Sequence, residues 1–515
     1  MMKIKYRFKH LWLAMALPVV FIVFSFSFKK EKKPNVLIIF PDQYRQFSLG
    51  FWSQGDNAKH IQGKPDPVKT PALDELANEG IVFSRAMSNF PLSSPFRGML
   101  MTGKYPCHNG LTANCHKTRQ EGIRIDGESL GNVFNQAGYE TAYFGKCHWQ
   151  RTEPLFDAEG NYQGTTEAPG GHYVNDYDTY VPPGAPRLGF SYFFQTLRDK
   201  HSDPFCYSSD PKAIGNRADG ELLRPRRFNA ELETEAILNY LDNSHGQRDA
   251  DKPFFITWAL NPPHNPWVEE HTDMRFFPQY TVDGQVKVDQ LLARENSDSI
   301  VGNYAPYYFA NVSAVDFYIG KILDKLKEMG EEENTIIVFT SDHGEMLGSH
   351  QFTGKLRPEV EAFNIPFIVK WGKKLQHRVD DLILSVPDIM PTVLAMAGLK
   401  SDIPETVQGV NYADAILKSE KSKTDKPKSA LYMDYYSRGL FTGDYTFVVQ
   451  TTKKNKFSEV FYYDNKKDPY QLHRIKGSEM DPQLEKALKA ELVRQLVAVD
   501  DTWAQKRICG EYLKY

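Results

Sequence analysis

The sequence predicts an α/β fold: a large, mostly parallel sheet flanked by helices, then a small C-terminal antiparallel sheet with a packed helix. Three observations point there. Residues 35–40 (NVLIIF), 253–260 (PFFITWAL) and 334–340 (NTIIVFT) are continuous apolar runs, the pattern of strands buried on both faces of a parallel sheet. Stretches of helical periodicity separate them. After about Leu417 the composition shifts to a Lys/Ser/Glu-rich linker, residues 418–428, and then to alternating segments at 430–436, 445–450 and 459–463, with a helix at 482–499. At 515 residues the chain fits a large α/β domain plus a smaller one. The expected division is 1–33 as an N-terminal address, 34–417 as the main domain and 429–515 as the C-terminal subdomain. A hydrophobic content of 41% and a charged content of 25% are those of a globular protein. A net charge of −3 suggests neither a nucleic-acid partner nor a polybasic membrane contact.

The address comes first. Residues 1–10 are basic through Lys3, Lys5, Arg7 and Lys9, residues 11–28 are apolar without a charge, and Lys29-Lys30-Glu31-Lys32-Lys33 ends the run. This is the pattern of an export signal, long enough to stay as an uncleaved anchor. It implies an exported protein, periplasmic or at the cell surface of a bacterium, touching membrane only through this segment. Cysteines stand at 107, 115, 147, 206 and 509 with no C-x-x-C, which argues against a zinc ribbon or thioredoxin motif; Cys107 and Cys115 would close a short loop if they paired.

The first apolar run ends in Pro41-Asp42-Gln43. Ligand sites of open α/β sheets gather at the carboxyl ends of strands, and Asp42 and Gln43 offer hard oxygen ligands there. Residues 70–80 (TPALDELANEG) have a helix start, a Leu73/Leu76 stripe and a terminating Gly. Residues 89–106 follow. Pro95 suits the first position of a helix, which sets Ser93 just before a helix start, where backbone N–H groups and the dipole favour a negative group. Arg97, about one turn on, adds a permanent forked cation. A hydroxyl so placed suits a nucleophile that attacks an anionic ester; an ordinary capping Ser with a surface Arg fits the same stretch.

A helix is expected at 130–137. Residues 140–149 (ETAYFGKCHW) form a strand leading into a loop, with Lys146 and His148 two residues apart and pointing the same way on an extended chain. Such a pair can neutralise anionic oxygens and protonate a leaving oxygen. Residues 149–227 lack periodic pattern and are rich in Gly, Pro, Tyr and Asp, which reads as a substrate-shaping insertion. An amphipathic helix at 229–243 precedes the second apolar run. That run ends in Asn261-Pro262-Pro263-His264-Asn265-Pro266, where prolines fix the backbone around a His. A long helix at 304–329 leads to the third apolar run, ending in Ser341-Asp342-His343-Gly344-Glu345. Asp342 and His343 repeat the theme of metal-capable groups at a strand end. One His with carboxylates and an amide is an oxygen-rich set that favours Ca²⁺ over zinc. Gly354-Lys355 and a strand at 365–370 follow.

Together these clusters resemble the formylglycine-dependent type I sulfatases, of alkaline-phosphatase-like fold. Ser93, Pro95, Arg97, Thr102 and Gly103 fill that family's signature, Cys-or-Ser, x, Pro, x, Arg, followed by Thr-Gly. Gly145-Lys146-x-His148, Pro263-His264-x-Pro266, the Asp42-Gln43 and Asp342-His343 pairs, and Gly354-Lys355 follow the family's other motifs in order. Ser rather than Cys at position 93 departs from the commoner pattern and implies maturation by a radical-type enzyme. The resemblance implies that Ser93 becomes formylglycine, whose hydrated diol attacks sulfur, and that Asp42, Gln43, Ser93, Asp342 and His343 surround a Ca²⁺. It implies that Arg97 and His148 orient the diol and that Lys146, His264 and Lys355 bind sulfate, with His264 or Lys355 as the acid. The expected substrate is a sulfated carbohydrate. Two other readings remain beside it: a phosphonate or phosphodiester hydrolase on the same scaffold, and a non-catalytic glycan-binding protein.

Overall fold

A computed structural model describes residues 32–513 apart from 117–118, 120, 152–177, 198–200, 286, 288–290, 293, 299–301, 419–425 and 508–509. The N-terminal address and most of the expected linker therefore lie outside the described residues, and none of the described helices is long and apolar enough to cross a membrane. Residues 33–515 form one compact unit.

The central sheet has nine strands: β1 Asn35–Ile39, β2 Ile81–Met87, β3 Glu140–Gly145, β4 Tyr192–Thr196, β5 Cys206–Ser208, β6 Phe254–Ala259, β7 Thr335–Phe339, β8 Ile368–Lys370 and β9 Arg378–Ser385. Their order is β5-β4-β3-β6-β1-β7-β8-β2-β9. The five strands from β4 to β7 are parallel neighbours, and β5 and β8 run antiparallel to their partners. The apolar runs explain the core on both faces. Val36, Ile38 and Phe40 enter one hydrophobic cluster, and Leu37 and Ile39 enter the other. Burying such a side chain stabilises the fold by about 1.5–3 kcal/mol.

The expected helices appear as α1 Pro71–Glu79, α3 Leu130–Gln136, α4 Asn229–Leu241, α5 Ala305–Glu328 and α6 Pro482–Ala498. Between α1 and α3, helix α2 spans Ser93–Thr102, and all ten of its residues are buried. Its start differs from expectation. Leu92 is the cap and Ser93 the first helical residue, so Pro95 is the third. A helix leaves its first four N–H groups without partners inside the helix, so Pro is tolerated there too.

Two further differences concern the sheets. Residues 149–227 are not wholly an insertion, because β4 and β5 within them extend the central sheet beyond β3. The C-terminal sheet holds five antiparallel strands, β10 Ala430–Met433, β11 Ser437–Phe441, β12 Tyr445–Thr451, β13 Phe457–Asp464 and β14 Ile475–Lys476. Helix α6 packs on β10 and β11 through Leu488, Leu492 and Leu496. Cys107 and Cys115 are free thiols, so no disulfide closes that loop.

Gly145 ends β3 with a φ of +97°, and a Cβ there would stand far inside contact distance of the Ala259 carbonyl on β6. That carbonyl also accepts the Lys146 N–H at 2.8 Å. Gly145→Ala is therefore expected to lower stability in chemical denaturation by about 3 kcal/mol or more. Gly184→Ala, at a φ of +91° with nothing within 4 Å of its Cβ, should cost only the backbone strain, about 1–3 kcal/mol. Equal losses would show that close packing of β3 on β6 is not the constraint.

Candidate active site

Four neighbouring parallel strands, β3, β6, β1 and β7, end on one edge of the sheet, and each delivers site residues there. Asp42 and Gln43 follow β1, Asp342 and His343 follow β7, Lys146 and His148 follow β3, and His264 follows β6. The registers hold these ends level: the Asp42 N–H donates to Leu260 O at 3.0 Å and the Thr340 N–H to Ile39 O at 2.9 Å. Helix α2 brings Ser93 and Arg97 to the same edge. The Ser88 hydroxyl, just before α2, donates to the Asp342 carbonyl at 2.6 Å and locks the loop to β7.

Ser93 is only 1% exposed. Its Oγ lies 3.3 Å from Asp42 Oδ2, 3.3 Å from His343 Nε2 and 3.4 Å from Lys146 Nζ. Asp42 Oδ2 also accepts from Lys146 Nζ and, at 3.3 Å, from Arg97 Nη2. Arg97 is fully buried beneath this cluster. It donates to Lys146 O and, at 3.4 Å, to Tyr143 Oη, and its guanidinium lies over the Phe40 ring at 5.0 Å.

The two carboxylates divide their oxygens in the same way. Asp342 Oδ1 accepts the Gln43 and His343 N–H groups, each at 2.9 Å, while its buried Oδ2 receives no hydrogen bond. Asp42 Oδ2 is held as described, and its buried Oδ1 receives none. His343 Nδ1 donates to Gly344 O at 2.9 Å, which fixes the tautomer and leaves the Nε2 lone pair 3.7 Å from Asp42 Oδ1 and 3.6 Å from Asp342 Oδ2. One ligand atom from each of the three residues lies within 4.8 Å of the others. Two undonated carboxylate oxygens facing a neutral imidazole nitrogen form a donor set that fits a hard divalent cation.

The electrostatics agree. Burial raises the Asp42 carboxyl, but the neighbouring positive charge, Lys146 foremost and Arg97 with it, outweighs it and holds Asp42 well below the usual range. Burial and the Asp42 charge push Asp342 up to about 7. Burial and Lys355 hold His343 well below its ordinary value, hence neutral. Without further positive charge the two carboxylates cannot both ionise freely.

The remaining site residues form an arm. Gln43 has a φ of +66°, and its Oε1 accepts from Lys355 Nζ at 2.5 Å. Lys355 Nζ lies 3.2 Å from His264 Nε2, while His264 Nδ1 donates to Asn265 O at 2.7 Å. His148, with a φ of +49°, is held beside the start of helix α2. Its Nε2 lies 3.3 Å from Cys115 O, and its carbonyl accepts the Ser94 hydroxyl at 2.6 Å. One contributor is marked by no motif, Glu345. Its Oε1 accepts the N–H groups of Leu347 (2.9 Å) and Gly354 (2.6 Å), and its Oε2 accepts Gln43 Nε2 at 2.5 Å. It therefore orients the Gln43 amide and braces the loop that carries Lys355. A buried acid two residues after His343 is the only sequence signal it leaves, and its carboxyl is pushed up to about 7 by burial.

Comparison with known proteins places this arrangement. The Sulfatase family model matches residues 34–399, more than half of the chain, and the model described as N-sulphoglucosamine sulphohydrolase, C-terminal, matches 348–498. A Bacteroides thetaiotaomicron protein named Endo-4-O-sulfatase is 36% identical over 513 residues, covering 95% of this chain and 96% of its own length. A solved structure from work on glycosaminoglycan metabolism by Bacteroides thetaiotaomicron superposes with a TM-score of 0.84 at 36% identity, covering 94% of this chain and 100% of its own. The phosphonate monoester hydrolase of Agrobacterium radiobacter shares the fold, with a TM-score of 0.62 at 19% identity, covering 91% of this chain and 99% of its own. The chain belongs to the sulfatase family and is a sulfuric ester hydrolase.

Proposed function

We propose that this sulfatase removes 4-O-sulfate groups within a sulfated carbohydrate chain, with formylglycine made from Ser93 as nucleophile and Ca²⁺ held by Asp42, Gln43, Asp342 and His343. The observation that carries the catalytic reading is Ser93 Oγ lying between Lys146 Nζ, Asp42 Oδ2 and His343 Nε2 at the strand ends. The similarity to an endo-4-O-sulfatase along nearly the whole chain supports the sulfate position and the internal site of action.

Hydrated formylglycine supplies two hydroxyls on one carbon, one to attack and one to release sulfate, a second step that serine lacks. Bound Ca²⁺ adds the positive charge that two carboxylates and a neutral imidazole call for, and favours the deprotonated hydroxyl. The protein's own groups do the rest. Lys146 and Arg97 keep Asp42 ionised and set a cation beside the nucleophilic atom. Lys146, Lys355 and His264 face the sulfate oxygens, and His148 holds the loop around Ser94. His264 Nδ1 spends its proton on Asn265 O, so Nε2 receives a hydrogen from Lys355 Nζ, and this pair delivers the proton to the leaving alcohol.

Three supporting roles complete the reading. Ser93 is buried in the first turn of a buried helix, so the radical-type maturing enzyme acts before folding closes the site. Residues 1–33 direct export to the periplasm or cell surface. Residues 34–417 form the catalytic domain and 429–515 the C-terminal subdomain.

Protein from its native host should show a Ser93 peptide lighter by two hydrogens and reactive to hydrazines. The same sample should hydrolyse aryl sulfate over phenyl phosphonate by about 100-fold or more. Unmodified Ser93 from that host would sink the mechanism, and a phosphonate preference would sink the substrate class. His264→Ala and Lys355→Met are expected to lose about 10²–10⁴-fold in kcat on a sugar sulfate but much less on nitrophenyl sulfate, whose leaving group needs no proton. Equal losses on both would assign the pair to sulfate binding alone. Calorimetric titration should give Glu345→Gln a Ca²⁺ affinity about 10–100-fold weaker, with activity recovered at high Ca²⁺. An unchanged affinity would exclude the positioning role of Glu345.

A further inference from the structure

We propose that Arg357 and Phe352 form a subsite at the rim of the active site for an oxyanion on a sugar residue, either a uronate carboxylate or a second sulfate ester. That residue would adjoin the one bearing the scissile sulfate. This rests on the carbohydrate-sulfatase reading above and names a substrate feature that the protein reads beside the reacting group.

Arg357 is fixed in place, yet most of its hydrogen-bonding capacity is unspent. Its Nε donates to Glu359 Oε2 at 3.0 Å, and its guanidinium carbon lies 3.7 Å from the centre of the Phe352 ring. These two contacts set the plane of the fork. Its two terminal nitrogens carry four of its five N–H donors, and none of the four has a partner among the described residues. The side chain is 27% exposed, so a ligand can reach them. A planar fork with free ends matches two oxygens of a carboxylate or a sulfate. The acid that holds it is turned inward. Glu359 is buried, its Oε1 accepts from Tyr463 Oη at 2.9 Å, and the same oxygen lies 3.6 Å from Arg474 Nη2. A lone exposed Phe would call for no explanation. Phe352, at 43% exposed, is one half of a stacked pair, and aromatic surface beside a cation suits a pyranose that bears an anion.

The pair belongs to the segment that carries Lys355. Lys355 Nζ reaches Gln43 Oε1 at 2.5 Å and lies 3.2 Å from His264 Nε2. Two residues of chain span at most about 7 Å, so the Arg357 backbone starts within that distance of the Lys355 backbone. The segment is pinned. The Gly348 N–H donates to Phe352 O at 2.8 Å, the Met346 N–H donates to Gly354 O at 2.9 Å, and Leu356, between the two cations, has a φ of +64°. One braced loop thus sends one cation into the site and keeps the next at the surface. A sugar chain whose sulfate reaches Lys355 has its adjoining residue within reach of Arg357 and Phe352.

The test presents the mature protein with three trisaccharides. Each carries one 4-O-sulfate, and the adjoining residue bears a uronate carboxylate, a second sulfate or no charge. Nitrophenyl sulfate, which has no adjoining residue, is the reference. The variants are Arg357→Gln and Phe352→Ala. Both side chains are partly exposed, and Glu359 keeps Tyr463 and Arg474 as partners when Arg357 is replaced. Arg357→Gln is expected to raise KM about 10–100-fold on one or both anionic trisaccharides, with the change in KM rather than kcat. The ratio of neutral trisaccharide to nitrophenyl sulfate turnover should stay as in the wild type. Whichever anionic substrate responds identifies the oxyanion. Phe352→Ala should raise KM on the trisaccharides relative to nitrophenyl sulfate. In Arg357→Gln, equal changes on neutral and anionic trisaccharides, or no change on any, overturn the subsite and leave the sulfatase reading intact. If Arg357→Gln fails to fold, Phe352→Ala decides: a loss no greater on the trisaccharides than on nitrophenyl sulfate overturns the subsite. Wild-type protein that turns over nitrophenyl sulfate but none of the three trisaccharides overturns the carbohydrate reading, and the subsite with it.

Discussion

The Asp42 carboxylate lies fully buried, with Lys146, Arg97 and Ser93 on one oxygen and no hydrogen donor on the other. Burying such a group costs several kcal/mol unless geometry compensates it. Here the compensation comes from elements far apart in sequence: α2 supplies Arg97, the end of β3 supplies Lys146, and the backbone N–H groups of Gln43 and His343 satisfy one oxygen of the second carboxylate, Asp342. None of these partners reaches its place unless the parallel register of β3, β6, β1 and β7 is correct. Catalytic geometry and sheet registry are therefore one constraint.

The same logic explains the backbone at the edge. Gln43 and His148 adopt left-handed φ values that side chains of this size rarely take, and both sit where a strand stops and a functional group must turn inward. Leu347, His350, Gln351 and Leu356, all around Lys355, do likewise. Glu345 binds that loop from beneath through two backbone N–H groups.

Much of this is legible in the sequence. Uninterrupted apolar runs mark β1, β6 and β7, because strands covered on both faces leave no polar alternation, and the polar residues that end them are the site. What the sequence hides has local causes. β4 (YFFQT) is a five-residue aromatic strand set among Gly, Pro and Tyr, so its pattern resembles the loops around it. β11 contains Arg438 and Gly439, which break alternation. Pro95 points to a helix start, yet its missing N–H is equally harmless two positions further in. Glu345 acts through Gln43, and a contact of that kind has no sequence spacing to read.

Asp42 and Asp342 stand 300 positions apart in the chain, yet their undonated oxygens converge on one point. A ligand shared between them exists only when the N-terminal strand and the strand after α5 have already paired. Fragments that lack either half lack the shared site. A bound ligand would therefore distinguish chains in which β1 and β7 have paired from those in which they have not, and by mass action it would protect the paired state against proteolysis.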